Sequence, residues 1–308
     1  MFRYLHIYSS NIFNGDTPVF ELDSLNGSDV TRAVIFAGKP SHPFGAVLGA
    51  VCYLYLELST ELKPENIYYN LHIYENLLCL VSGKPGGPGQ GVDISGKRSF
   101  SEVLKEYEAE EKDYNKPNIQ HHGMVREYNI IAKLPACICF LNAMRPEHRE
   151  KAERALATFI IAEEIGMTVN PHTKATVRAT LYLSAINQLA ENPEECSHKI
   201  NYCSDCRKEN IAHQKAGHAK KIEDLMRELL TGTNLDRGIK LIKTGYYIVR
   251  SPFLHDGMLA GGEYKGGWIA DDPLNIQFLE DLTNYMGTCR HLIELYMQKH
   301  ASEAVGQS

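Results

Sequence analysis

The chain has 308 residues, enough for two domains or one large one. Its hydrophobic content of 44% supports a sizeable core and argues against gross disorder. A net charge of −6 argues against a general polyanion binder, although it leaves room for a local basic site.

No stretch reaches the ~18 consecutive apolar residues of a membrane helix. The longest candidate, Phe44 to Leu58, carries Glu57 and two glycines. Met1 to Ser10 holds no signal-peptide hydrophobic core, so a soluble cytoplasmic protein is expected. Eight cysteines without a secretory signal read as thiols or metal ligands and not as a disulfide framework.

Residues 1–145 read as a mixed α/β domain. Phe2–Tyr8, Val19–Leu22, Ala33–Phe36, Ile67–Ile73 and Leu77–Val81 are short apolar, β-branched and aromatic runs, several of them separated by turn residues. Ile130–Leu134 and Cys137–Leu141 read the same way. Pro43–Thr60 is read as helix, with Ser41 and Pro43 at its start. Ser99 to Lys112 is polar and Glu-rich, and predicts an exposed helix. Cys137 and Cys139 read as small core side chains, and His121 and His122 as surface imidazoles.

The loop from Ser82 to Lys97 holds six glycines and two prolines. Within it, Gly91-Val-Asp-Ile-Ser-Gly96-Lys97 approaches a phosphate-cradling loop. Arg98 stands where Ser or Thr would ligate magnesium, so a surface loop is the better reading and a nucleotide-binding enzyme the weaker one.

From Pro146 the pattern becomes helical. Ala152, Ala155, Leu156, Phe159 and Ile160 share one face of a first helix, and Val177, Leu181, Ala185 and Leu189 one face of a second. Ile222, Leu225, Met226, Leu229 and Leu230 mark a third. Gly232 closes that helix and Asn234 is placed to cap the next. The fourth helix buries Ile239, Ile242, Tyr246, Val249 and Phe253. The last, Leu274 to Gln298, spaces Phe278, Leu282, Tyr285, Cys289, Leu292 and Tyr296 at threes and fours. Five amphipathic helices predict a bundle over 146–300, followed by a disordered tail at 301–308. The fold class expected is therefore an α+β N-terminal domain followed by an all-α helical bundle.

Two constellations carry chemistry. Cys203-Ser-Asp-Cys206 has the two-residue spacing at which both thiolates can face one tetrahedral zinc. Cys196 and His198 supply the remaining ligands most directly, with His213 and His218 near enough to substitute. Such a zinc would be structural. The second lies at the end of the fourth helix, where Arg250 and His255 stand five residues apart, off the apolar face, with Ser251 and Pro252 between them. On a straight helix they would point about 140° apart, so Pro252 is expected to kink or end the helix and let them meet. Arg237, Lys240, Lys243 and Arg250 form a basic stripe about 140° wide on the same helix, able to track an RNA backbone. Arg237 and Lys240 read better as ordinary solvated cations.

The run Tyr246-Tyr-Ile-Val-Arg250-Ser251-Pro252-Phe-Leu-His255-Asp256-Gly257 resembles the R-x4-6-H motif of the HEPN superfamily, and more narrowly its Apea-like and abortive-infection members. The resemblance covers roughly 146–300. It implies a HEPN-like helical domain with Arg250 and His255 as catalytic residues, and Lys240, Lys243 and Ser251 beside them against RNA. The implied activity is metal-independent endoribonuclease cleavage in an antiviral defence or toxin system. No cofactor is needed for catalysis, and a homodimer is implied because the motif helices of two subunits form one composite site. The N-terminal domain would be a sensor or regulator that takes a ligand or protein. The alternative is a HEPN module without catalysis that binds RNA or a protein partner.

Overall fold

A computed structural model describes residues 2–10, 19–38, 51–83, 92–93, 99–106, 124–166, 174–190, 201–202, 209–210, 218–250, 254 and 273–306. The chain divides into two compact units, Met1–Met167 with Met297–Ser308, and Thr168–Tyr296. The first is α+β and the second mostly helical.

The first unit is built on an antiparallel sheet of β1 (Phe2–Ser10), β2 (Phe20–Leu22), β3 (Val30–Gly38), β4 (Val51–Leu58) and a two-residue β5 (Val92–Asp93). The strand order is β2-β3-β4-β1-β5. The register sets Val34 opposite Tyr55 and Phe36 opposite Tyr53. These four, with Leu5 and Val103, form a cluster on one face of the sheet. The Phe36 and Tyr53 rings stack with centroids 5.1 Å apart.

The expected helix at Pro43–Thr60 is not what forms over its described part. Val51–Leu58 is a central strand, buried on both faces, and so lacks the polar alternation that marks a half-exposed one. The helix at Ser99–Lys112 is described over α2 (Phe100–Glu106), and it is not simply exposed. Phe100, Val103 and Leu104 pack on the sheet cluster.

Four expected strands are helical instead. Tyr68–His72 is a π-helical turn leading into α1 (Ile73–Ser82), which replaces the strands at Ile67–Ile73 and Leu77–Val81. Ile73, Tyr74, Leu77, Leu78, Leu80 and Val81 are all buried, and a helix buried all round has no polar face to show its period. The runs at Ile130–Leu134 and Cys137–Leu141 belong to α3 (Met124–Ala143), with Pro135 inside it. Leu134, Cys137, Ile138 and Leu141 are buried at spacings of three and four, the helical repeat. Cys139 falls on the opposite side and is exposed, so it is not a core side chain.

The helix α4 (Pro146–Gly166) packs with α3's neighbour α1 and belongs to the first unit. The last helix, α8 (Pro273–Val305), continues through the expected tail. Ala301 is buried and the His300 ring stacks on His148 with centroids 3.7 Å apart, so residues 301–305 have a reason to stay helical. No helix among the described residues is long and apolar enough to cross a membrane.

Glu75 ties α1 to β1. Its carboxylate pairs with His6 of β1 and, at 2.8 Å, with Nδ1 of His72. Burial opposes its ionisation, but the hydrogen bonds from the two imidazoles prevail and bring it down to about 2. His72 is raised, first by its hydrogen bond to Glu75. A carboxyl held below its ordinary 4.5 contributes stability that is full above that value and lost as pH falls towards 2. The raised His72 contributes below its ordinary 6.5 and loses that contribution as pH rises through its folded-state value. Glu75→Gln is expected to destabilise the protein by about 1–3 kcal/mol at neutral pH. In denaturant melts, its gap from wild type should shrink between pH 4.5 and 2. A gap that stays constant through that window would remove this role from Glu75.

Candidate functional site: a held arginine and a basic cleft

The second unit holds α5 (Ala175–Leu189), α6 (His218–Leu229), α7 (Gly232–Thr244), a π-helical segment Gly245–Arg250, and α8 as far as Tyr296. A two-stranded ladder, β6 (Asn201–Tyr202) with β7 (Glu209–Asn210), lies between α5 and α6. Gly232 takes a left-handed φ of 57° between α6 and α7, as a chain reversal requires. The helix starts before Asn234, which therefore lies inside the first turn and is not the cap.

Ile242, Tyr246 and Val249 are buried, as the apolar spacing predicts. Ile239 is only partly buried, and Phe253 lies outside the described residues. The helix changes character earlier than Pro252 suggests, because the π-helical turns begin at Gly245. At that glycine the helix comes close to two neighbours. A Cβ there would lie 2.9 Å from Cε1 of Tyr285 on α8 and 3.0 Å from Cδ1 of Leu183 on α5.

Arg250 ends this segment. Its guanidinium lies over the Tyr246 ring, 4.8 Å from the centroid, and its Nε donates a long 3.5 Å hydrogen bond to Ser184 Oγ on α5. No carboxylate pairs with it among the described residues. Burial pushes the Tyr246 phenol up to about 12, while the Arg250 charge pulls the other way, so the ring stays neutral. Arg250 is thus a half-buried cation, oriented by an aromatic face and a hydroxyl, with no anion among the described residues to neutralise it.

The other cations of the expected stripe have separate surroundings. Lys243 pairs with Glu223 on α6 at 3.2 Å, and Arg227 shares the same carboxylate. Hydrogen bonds from Arg227 and Lys243 hold the Glu223 carboxyl below its ordinary range. Lys240 and Arg237 instead line a cleft of about 940 Å³ between α7 and α8. Across it stand Thr283, Asn284, Thr288 and His291. His291 is a residue that the sequence analysis does not single out. Its signal is the spacing of threes and fours that sets Asn284, Gly287, Thr288 and His291 on one face of the helix.

His255 and Ser251 lie outside the described residues; Leu254, just before the histidine, is 52% exposed. Cys196, His198, Cys203, Cys206 and His213 also lie outside them, as do His121 and His122. The β6–β7 ladder brackets Cys203 and Cys206 in sequence. Among the described residues no group of three metal-ligating side chains occurs. In the glycine-rich loop, Val92–Asp93 is extended and paired with β1, inside the stretch that would have to curl around phosphates.

No family model, no curated protein and no solved structure matches this chain.

Gly245 and Gly287 give opposite expectations. Gly245→Ala gains helix propensity of up to about 1 kcal/mol but forces a methyl onto a buried ring, which costs about 1–3 kcal/mol. It is expected to lower stability. Gly287→Ala meets nothing within 4 Å and should raise it by about 0.5–1 kcal/mol. Denaturant melts of the two variants moving in the same direction would contradict the close approach at Gly245.

Proposed function

We propose that the protein is a HEPN-type, metal-independent endoribonuclease of a defence or toxin system. The observation that carries this reading is Arg250, a half-buried guanidinium fixed against Tyr246 and Ser184 and without a carboxylate partner among the described residues. A cation placed so is ready for an external anion, and a phosphodiester fits its planar fork of N–H donors. His255 follows five residues later in an R-x4-H arrangement. The chemistry needs no more than this pair. The ribose 2′-hydroxyl gives up its proton and attacks the adjacent phosphorus. Arg250 stabilises the charge that develops on the phosphoryl oxygens, and the 5′-oxygen leaves with a proton. An imidazole near neutral pH can serve in either proton transfer. The products are a 2′,3′-cyclic phosphate and a 5′-hydroxyl.

The exposed Leu254 suits a motif buried between two subunits, which supports a homodimer with a composite site. Zinc held by Cys203 and Cys206, with Cys196 and His198, would brace the segment between α5 and α6 without entering the reaction. The first unit would act as the sensor or regulator, in a protein working in the cytoplasm.

Ser251 and Pro252 favour a second reading, since active members often carry Asn, Asp or His after the arginine. On that reading the same Arg250 site binds RNA or a protein partner without cleaving. Incubation of labelled single-stranded RNA with EDTA separates the two. The first reading expects cleavage to cyclic-phosphate ends by wild type and loss of at least 100-fold in His255→Ala, the scale of general acid–base catalysis. Equal cleavage by both proteins would overturn it.

A further inference from the structure

The cleft between α7 and α8 is separate from the Arg250 site, since neither Arg250 nor Ser184 nor Tyr246 lines it. Arg237 and Lys240 reach it from α7, and His291 from α8. Among the described residues, none of the three has an ion-pair partner and the lining contains no Asp or Glu. In a chain with net charge −6, a cleft whose described lining is only cationic and neutral is not what average composition supplies. Arg237 and Lys240 are three residues apart, so they are neighbours on one helix face. His291 approaches from the other wall and always carries at least one N–H donor. Donors on two sides suit a tetrahedral anion with several oxygens better than a carboxylate, which a single Arg fork would satisfy.

The volume of about 940 Å³ is far more than a bare phosphate fills and lies at the upper end for small-molecule sites. Leu230 and Leu241 supply apolar wall, and Asn284 an amide with both donor and acceptor. Those features match a sugar and base attached to the phosphate. We propose that the α7–α8 cleft binds the phosphate ester of a nucleotide. The ester is either the monoester of a free nucleotide or the diester of an RNA strand, and the proposal does not depend on RNA cleavage at Arg250.

The test is calorimetric titration of the full chain with AMP, with a short single-stranded RNA, and with inorganic phosphate. The proteins are wild type, the double variant Arg237→Gln/Lys240→Gln, His291→Gln, and Lys220→Gln as a control cation outside the cleft. All four substituted side chains are exposed, and equal melting temperatures confirm that each variant is folded. AMP binding that falls tenfold or more in the double variant and also weakens in His291→Gln, with Lys220→Gln unchanged, identifies a free-nucleotide site. The same pattern with RNA but not AMP identifies a strand site. Failure of all three probes to bind wild type, or equal losses in the double variant and Lys220→Gln, would overturn the proposal. Neither result bears on cleavage by His255, which is read in a separate assay.

Discussion

The close approach at Gly245 is the constraint on which the second unit depends. A side chain there would meet the buried Tyr285 ring from one side and Leu183 from the other. With only hydrogen at that position, three helices can pack where α7 passes into π-helical turns. Those wider turns carry Tyr246 and Val249 into the core and bring Arg250 out beside α5. The placement of Arg250 is therefore a packing result before it is an electrostatic one. Tyr246 then does two jobs: its body fills the core, and its face carries the guanidinium.

The cations that a helical wheel draws as one basic stripe have separate surroundings, and the π-helical segment accounts for the displacement of Arg250. Lys243 is answered by Glu223, Arg237 and Lys240 are turned towards α8, and Arg250 faces Ser184. A wheel drawn at 100° per residue assumes an unbroken α-helix, and the π-helical segment changes the phase after Thr244. Of the four stripe cations, the three without a carboxylate partner among the described residues fall in two places. One is suited to a single phosphate near the motif. The other is a roomy cleft with apolar walls.

Amphipathic patterning was a sound guide wherever one face of an element is wet. The helices after Pro146 announce themselves by threes and fours, and β1 and β3 by short apolar runs between turns. It failed where burial is complete. Val51–Leu58 and Ile73–Ser82 are both mostly apolar and buried nearly all round, and the first is a strand and the second a helix. Nothing in hydrophobicity separates them, because neither shows water a polar face. The His6–Glu75 pair that ties β1 to α1 was invisible for another reason: the two residues are 69 apart in sequence, and only the tertiary fold brings them together. Arg250 was legible from its motif, whereas Ser184 and His291 come from other helices and carry no local signal strong enough to name them alone.

The central claim is that Arg250 is held ready for a scissile phosphate. The most direct measurement is the single-turnover rate of RNA cleavage by Arg250→Lys beside wild type. Lysine keeps the charge but loses the planar fork and its stacking on Tyr246. The account requires the rate to fall by about 100-fold or more, the scale for loss of a transition-state donor, with little change in melting temperature. A rate within a factor of about two of wild type, well under the 1.4 kcal/mol that a tenfold change represents, would contradict it.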